Sequence, residues 1–235
     1  MKIDFAGKVA VIAGGTGGLG RAVSLAFLEE GAKVVVPYHS ENELAELRRA
    51  AAGRETQMIG RAVDVLDATA VAKLVEEIGR IDVLVNTVGG YTGGVELWKL
   101  APAELDRMLN LNLRAAYVLA QTVVPGMLKR GRGAVVNVSA KAALDHGAGA
   151  SAYAASKAAS LALMDSLAAD TRGTGVRVNS VLPSIIDTKA NRAAMPDAKF
   201  DAWAKPEDIA KVILFLASDA AKVVHGAAVT VYGDS

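Results

Sequence analysis

The chain has no cysteine among its 235 residues, which excludes disulfides, thiolate metal sites and a cysteine nucleophile, and fits a reducing cytosol. Histidine is scarce, and His39, His146 and His225 are too scattered to suggest a metal site, so no metal is expected. An excess of one charge is also missing. Lysine and arginine number 26 against 25 aspartates and glutamates, spread along the chain. Neither nucleic acid nor an anionic membrane therefore has an electrostatic footprint to bind, and a small-molecule substrate is expected. No apolar run is long enough to span a membrane, and the opening Met-Lys-Ile-Asp-Phe holds no signal core, so the expected location is cytoplasmic. Repeats, low-complexity tracts and linkers are absent, and residues 1–235 read as one domain.

Hydrophobic residues make up 52% of the chain, enough for a large core. Short Val/Ile/Leu-rich runs at 8–13, 33–36, 58–63, 81–86, 134–138, 176–182 and 227–231 alternate with helical patterns at 18–30, 41–53, 68–79, 102–129, 152–172 and 206–218. This alternation predicts an α/β fold, a single Rossmann-type doubly wound domain of about seven parallel strands flanked by helices on both faces. The least regular stretch, 183–205, follows the sixth strand. Parallel sheets bind ligands beyond the carboxyl ends of their strands, so this stretch is expected to be a substrate lid.

The first strand runs into Ala13-Gly14-Gly15-Thr16-Gly17-Gly18-Leu19-Gly20 and then a helix. Glycines let the backbone turn sharply and approach a pyrophosphate, while the helix N-terminus offers free N–H groups to the anion. The plainer reading is a tight turn that wants glycine only for packing. Further on, Tyr153 and Lys157 stand four residues apart and project from one helix face. An ammonium there favours phenolate and is expected to lower the tyrosine pKa toward the range of a general acid or base. Asn112, a poor helix-interior residue, is expected to distort its helix, with Asn110 as a rival for the same role.

Together these motifs resemble the short-chain dehydrogenase/reductase family across essentially the whole chain. The spacing Gly14, Gly18, Gly20 is similar to that family's glycine motif, with Ala13 in place of its usual threonine. The resemblance implies that Tyr153 and Lys157 are the catalytic pair, that Asn112 continues a proton relay through water, and that Lys157 also holds the nicotinamide ribose. It further implies a cofactor site built from Gly14, Thr16, Gly18, Leu19, Gly20, Asp64, Val65, Asn86, Gly89, Pro183, Ile186 and Thr188. One departure stands out. Where the family carries serine, thirteen residues before the tyrosine, this chain has Ala140, which cannot hydrogen-bond a ketone. Ser139 beside it should point to the opposite face.

Ala140-Lys141-Ala142-Ala143-Leu144-Asp145, the pattern from Asp187 to Trp203, and Val88-Gly89-Gly90-Tyr91-Thr92-Gly93-Gly94 resemble the quinonoid dihydropteridine reductase-like members. That likeness implies an electrophilic C=N, C=C or C=O substrate. Tyr38-His39-Ser40 after the second strand is similar to the phosphate-binding turn of pteridine reductases, with His39 and Ser40 as donors; the plainer reading is a polar loop. NADP(H) is therefore favoured, with NAD(H) the alternative. Trp98 and Trp203 either line the pocket or pin the lid, and His146 and Lys141 read as loop residues. The resemblance also implies a homodimer or homotetramer built on the long fourth and fifth helices. The competing functional class is a non-catalytic NAD(P)-binding redox sensor.

Overall fold

A computed structural model describes residues 3–234. Seven strands form one parallel sheet: β1 (Val9–Ala13), β2 (Lys33–Tyr38), β3 (Met58–Ala62), β4 (Val83–Asn86), β5 (Gly133–Val138), β6 (Val176–Pro183) and β7 (Ala228–Val231), in the order β3-β2-β1-β4-β5-β6-β7. The inner strands read as unbroken apolar runs because both their faces are buried. Successive residues divide between two cores: Ala10, Ile12, Val34, Val36, Val83 and Val85 join one, and Val11, Ala13, Val35 and Leu84 the other. The expected fold is therefore observed.

The first core is covered by α1 (Gly18–Glu29) and α8 (Pro206–Ala217), which pack side by side. Phe27 of α1 and Ile213 of α8 are fully buried there, and each side chain contributes about 1.5–3 kcal/mol. The second core is covered by α3 (Ala68–Ile78), α5 (Ala115–Arg130) and α6 (Ser151–Asp170). Two shorter helices, α2 (Glu41–Ala50) and α4 (Pro102–Leu109), lead into β3 and α5 respectively.

The segment 102–129, expected as one helix, follows a continuous helical path with a flaw at its centre. Asn110–Arg114 winds as a single π turn between α4 and α5, and Pro125 sits inside α5. A π turn widens the ladder by one residue and lets a polar side chain reach inward, and Asn112 lies in the middle of this one, 1% exposed. Its predicted distortion of the helix is observed.

The segment 183–205 has more order than its sequence suggested. It contains α7 (Lys189–Ala194), capped by the Thr188 hydroxyl, which accepts from Asn191 N at 3.2 Å. Its ends are joined by a parallel bridge between Ile186 and Ala204, and Asp187 N donates to Ala204 O at 2.9 Å. Asp187 takes the Arg192 guanidinium at 2.5 and 2.7 Å, while Trp203 is buried and stacks edge-on against Phe200. Trp203 thus pins this segment, whereas Trp98 is 81% exposed.

Candidate active site

The strand order reverses between β1 and β4, so their carboxyl ends open a crevice at the switch point. The glycine turn lies on one side of it. Gly14 has φ +74°, a left-handed conformation, and a Cβ there would stand 2.7 Å from Thr87 Oγ1 on the β4 side. Gly20 is held more tightly still: a Cβ would lie 2.0 Å from the Gly14 carbonyl oxygen. Helix α1 then begins with no side-chain cap on its first N–H groups and no acidic residue in its first turn. Bare backbone and a positive helix end fit a pyrophosphate. At Gly18 a Cβ would meet Thr188 Cγ2 at 2.8 Å, so the 183–205 segment rests against the turn.

Other expected cofactor residues occupy more mixed positions. Leu19 and Val65 send their side chains into the two cores, leaving only backbone to face a ligand. The Thr16 hydroxyl donates to Glu43 Oε2 at 2.9 Å. Ser40 caps α2, accepting from Glu43 N at 3.4 Å, and His39 is exposed. Tyr38 hydrogen-bonds Glu41. Asp64 lies just beyond β3 in a turn closed by its own carboxylate, which accepts from Leu66 N at 2.9 Å. Pro183 ends β6, and Ile186 packs on the first core.

On the other side of the crevice, buried amides tie the strands to α6. Asn86 Nδ2 donates to Asn137 Oδ1 at 2.9 Å across paired positions of β4 and β5, and Asn137 Nδ2 donates to Ser160 Oγ at 3.1 Å. Ser139 Oγ donates to Lys157 O at 3.0 Å. That serine therefore anchors α6 and does not stand in for a hydroxyl at Ala140. Lys157 is 5% exposed, and its Nζ donates to Val138 O at 3.0 Å. Burial pulls its pKa down to about 8.

Tyr153 lies one turn before Lys157, so the expected pair does share a helix face. Its pKa, however, moves opposite to the expectation. Burial, and secondly the neighbouring Tyr91, push Tyr153 up to about 12, and Lys157 is not among the groups acting on the phenol. The physical reason is that α6 places the Tyr153 ring in a desolvated position, while the Lys157 ammonium is engaged by a backbone carbonyl.

Asn112 is locked by its amide. Oδ1 accepts from Gly90 N at 3.0 Å, and Nδ2 donates to Gly90 O at 3.0 Å and to Ser156 Oγ at 2.9 Å. Gly89 sits where a Cβ would be 2.8 Å from Asn112 Oδ1 and 3.0 Å from Lys157 Nζ. The structure thus gathers Gly89, Asn112 and Lys157 at one point. Contacts that sequence reasoning missed include Ser156, Asn137 and Ser160. The available signal was polar residues in otherwise apolar runs, with Asn86 and Asn137 each near a strand end.

Among the described residues, no helix is long and apolar enough to cross a membrane. Residues 8–199 match the family model described as short chain dehydrogenase. The chain is 35% identical to a 3-oxoacyl-[acyl-carrier-protein] reductase of Thermotoga maritima, covering 97% of each chain. It is 34% identical to D-threitol dehydrogenase of Mycolicibacterium smegmatis, over 97% of this chain and 92% of that one. Among solved structures, ElxO with NADP bound superposes with a TM-score of 0.90 at 25% identity, over 96% of this chain and 97% of that one. A Beutenbergia cavernae protein assigned as an NAD(P)-dependent gluconate 5-dehydrogenase, holding NADP at low occupancy, gives 0.90 at 31% identity, over 98% and 97%. Fold, strand-end crevice and sequence likeness agree: the chain belongs to the short-chain dehydrogenase/reductase family and is an oxidoreductase of that family.

Proposed function

We propose that the protein moves hydride between NADP(H), with NAD(H) as the alternative, and a small carbonyl, imine or quinonoid substrate, pterin-like compounds included, with Tyr153 as proton donor. The observation that carries this reading is Tyr153 one helical turn from the buried Lys157, whose Nζ comes up against Gly89 just past the carboxyl end of β4. Support for NADP comes from ElxO and the Beutenbergia cavernae protein, both holding it on this fold. Bound nicotinamide supplies the hydride.

The chain's own residues supply the rest. Gly14, Thr16, Gly18, Leu19 and Gly20 cradle the pyrophosphate through their backbone, Asp64 and Val65 border the adenine, and Asn86 and Gly89 border the sugar that Lys157 holds. His39 and Ser40 meet the ribose phosphate, and Pro183, Ile186 and Thr188 flank the nicotinamide under the 183–205 lid. A phenol pushed up to about 12 holds its proton at neutral pH and so enters the reductive direction in its donor form. The reduced carbon gains hydride, its oxygen or nitrogen gains the Tyr153 proton, and the phenolate is reprotonated from solvent past Lys157. The Asn112 amide is fully engaged, so its part in that relay falls to its backbone within the π turn.

For assembly, an apolar groove of about 310 Å³ on the outer face of α5 and α6, lined by Ala120, Val124, Leu163 and the half-exposed Tyr117, supports pairing with a second copy as a homodimer or within a homotetramer. Light scattering on the wild type and on Tyr117→Arg measures this; a variant of unchanged mass counts against the groove.

The test of function is NADPH and NADH oxidation by the purified protein with quinonoid dihydropterin, cyclic imines, quinones and simple ketones. Turnover with any of them supports the enzyme. Cofactor binding with no turnover on the whole panel would favour the redox sensor.

A further inference from the structure

Resting on the proposed hydride transfer, we infer that Tyr91 is a specificity-determining residue that selects flat, conjugated ring substrates by stacking.

The Tyr91 and Tyr153 rings stand 5.0 Å apart, centroid to centroid, at 74°. Edge-to-face geometry lets Tyr153 cover at most one face of Tyr91, and Tyr91 remains 65% exposed beside the proton donor. The loop that carries this open ring is anchored at its backbone. The Asn112 amide grips Gly90 at both N–H and C=O, fixing the residue just before Tyr91. The ring folds back over Gly93, where an added Cβ would stand 2.0 Å from the Tyr91 hydroxyl. Val95 N donates to Gly149 O at 3.3 Å, docking the loop onto the segment between Ala140 and α6.

The opposite wall explains why such a platform matters. Ala140 offers no hydroxyl, and Ser139 spends its own on Lys157 O. With Tyr153 the principal donor for a substrate oxygen or nitrogen, hydrogen bonds fix one atom and leave the rest of the molecule free to pivot. Stacking on Tyr91 supplies the missing orientation for a planar molecule and does little for a small aliphatic one.

The experiment compares wild type, Tyr91→Leu and Tyr91→Phe, using 9,10-phenanthrenequinone and 2,3-butanedione as probes with NADPH. The selectivity ratio, kcat/KM for the quinone over that for the diketone, is expected to fall about tenfold in Tyr91→Leu, mainly through KM, and to recover in Tyr91→Phe. A ratio unchanged in Tyr91→Leu, whether both rates hold or fall together, overturns the inference. Calorimetric binding of phenanthrenequinone to the NADP+-loaded protein, which has no hydride to transfer, gives a readout independent of turnover. Weaker binding in Tyr91→Leu supports the platform even if no turnover occurs, in which case only the hydride-transfer reading fails. Equal binding, or none to the wild type, removes the platform itself.

Discussion

The two sides of the crevice are built by different physics. On the glycine side the shape is set locally: Gly14 at φ +74° and Gly20 against the Gly14 carbonyl leave a bare turn, with no acidic residue in the first turn of α1. On the tyrosine side the shape is set by contacts between segments far apart in sequence. Asn112 grips Gly90, Asn86 meets Asn137, and Lys157 is buried against Val138 O. The first side spends backbone freedom to make its site, and the second spends charge desolvation. They should therefore fail differently.

The largest effect on cofactor binding is expected from Gly20→Ala, because the added Cβ meets backbone that cannot swing aside. Overpacking of this kind costs about 1–3 kcal/mol. NADPH affinity is expected to fall about 10- to 100-fold by fluorescence titration, and an unchanged affinity would place the pyrophosphate elsewhere.

On the other side, Lys157→Met is expected to stabilise the fold while removing turnover. Folding lowers Lys157 from 10.5 to about 8, so between those values the unfolded chain holds the extra proton and stability rises with pH. Below about 8 the full penalty applies, with a ceiling of about 3 kcal/mol at 1.36 kcal/mol per pH unit. Urea midpoints should rise for Lys157→Met at neutral pH, and the upward slope between about 8 and 10 should flatten. Tyr153 has the opposite sign: raised from 10.0 to about 12, its contribution is lost as pH climbs through that window. Equal midpoints for wild type and Lys157→Met at neutral pH would mean that the ammonium is not desolvated.

The smallest effect on cofactor binding sharpens the comparison. Ser160→Ala leaves the Asn137 amide without its acceptor in a fully buried position, which costs about 1–3 kcal/mol. Stability should drop by about this much with NADPH affinity nearly unchanged, since the loss lies in the seam between β5 and α6. A large affinity loss would join the two sides into one unit.

The same contrast decides what the sequence revealed. Strand periods, the glycine turn and the four-residue step from Tyr153 to Lys157 are local patterns, and the structure has each of them. The distortion at Asn112 was also legible, because an asparagine in a helix interior invites a local explanation. What it grips was not, since Gly90 lies 22 residues away and only the fold brings it near. The direction of the Tyr153 shift was misread for the same reason. Helical spacing showed the ammonium nearby, but desolvation and the approach of Tyr91 depend on loops whose path sequence does not specify. Likewise 183–205 looked irregular because the order from Ile186 to Ala204 rests on a bridge between its own ends.

The most direct test of the central claim is a single-turnover reduction by the NADPH-loaded protein, wild type against Tyr153→Phe, on whichever substrate the panel identifies. The account predicts equal NADPH binding and a hydride-transfer rate about 10²- to 10⁴-fold slower in the variant. A variant that binds NADPH equally and transfers hydride at the wild-type rate would contradict it, and the proton would have to come from another group.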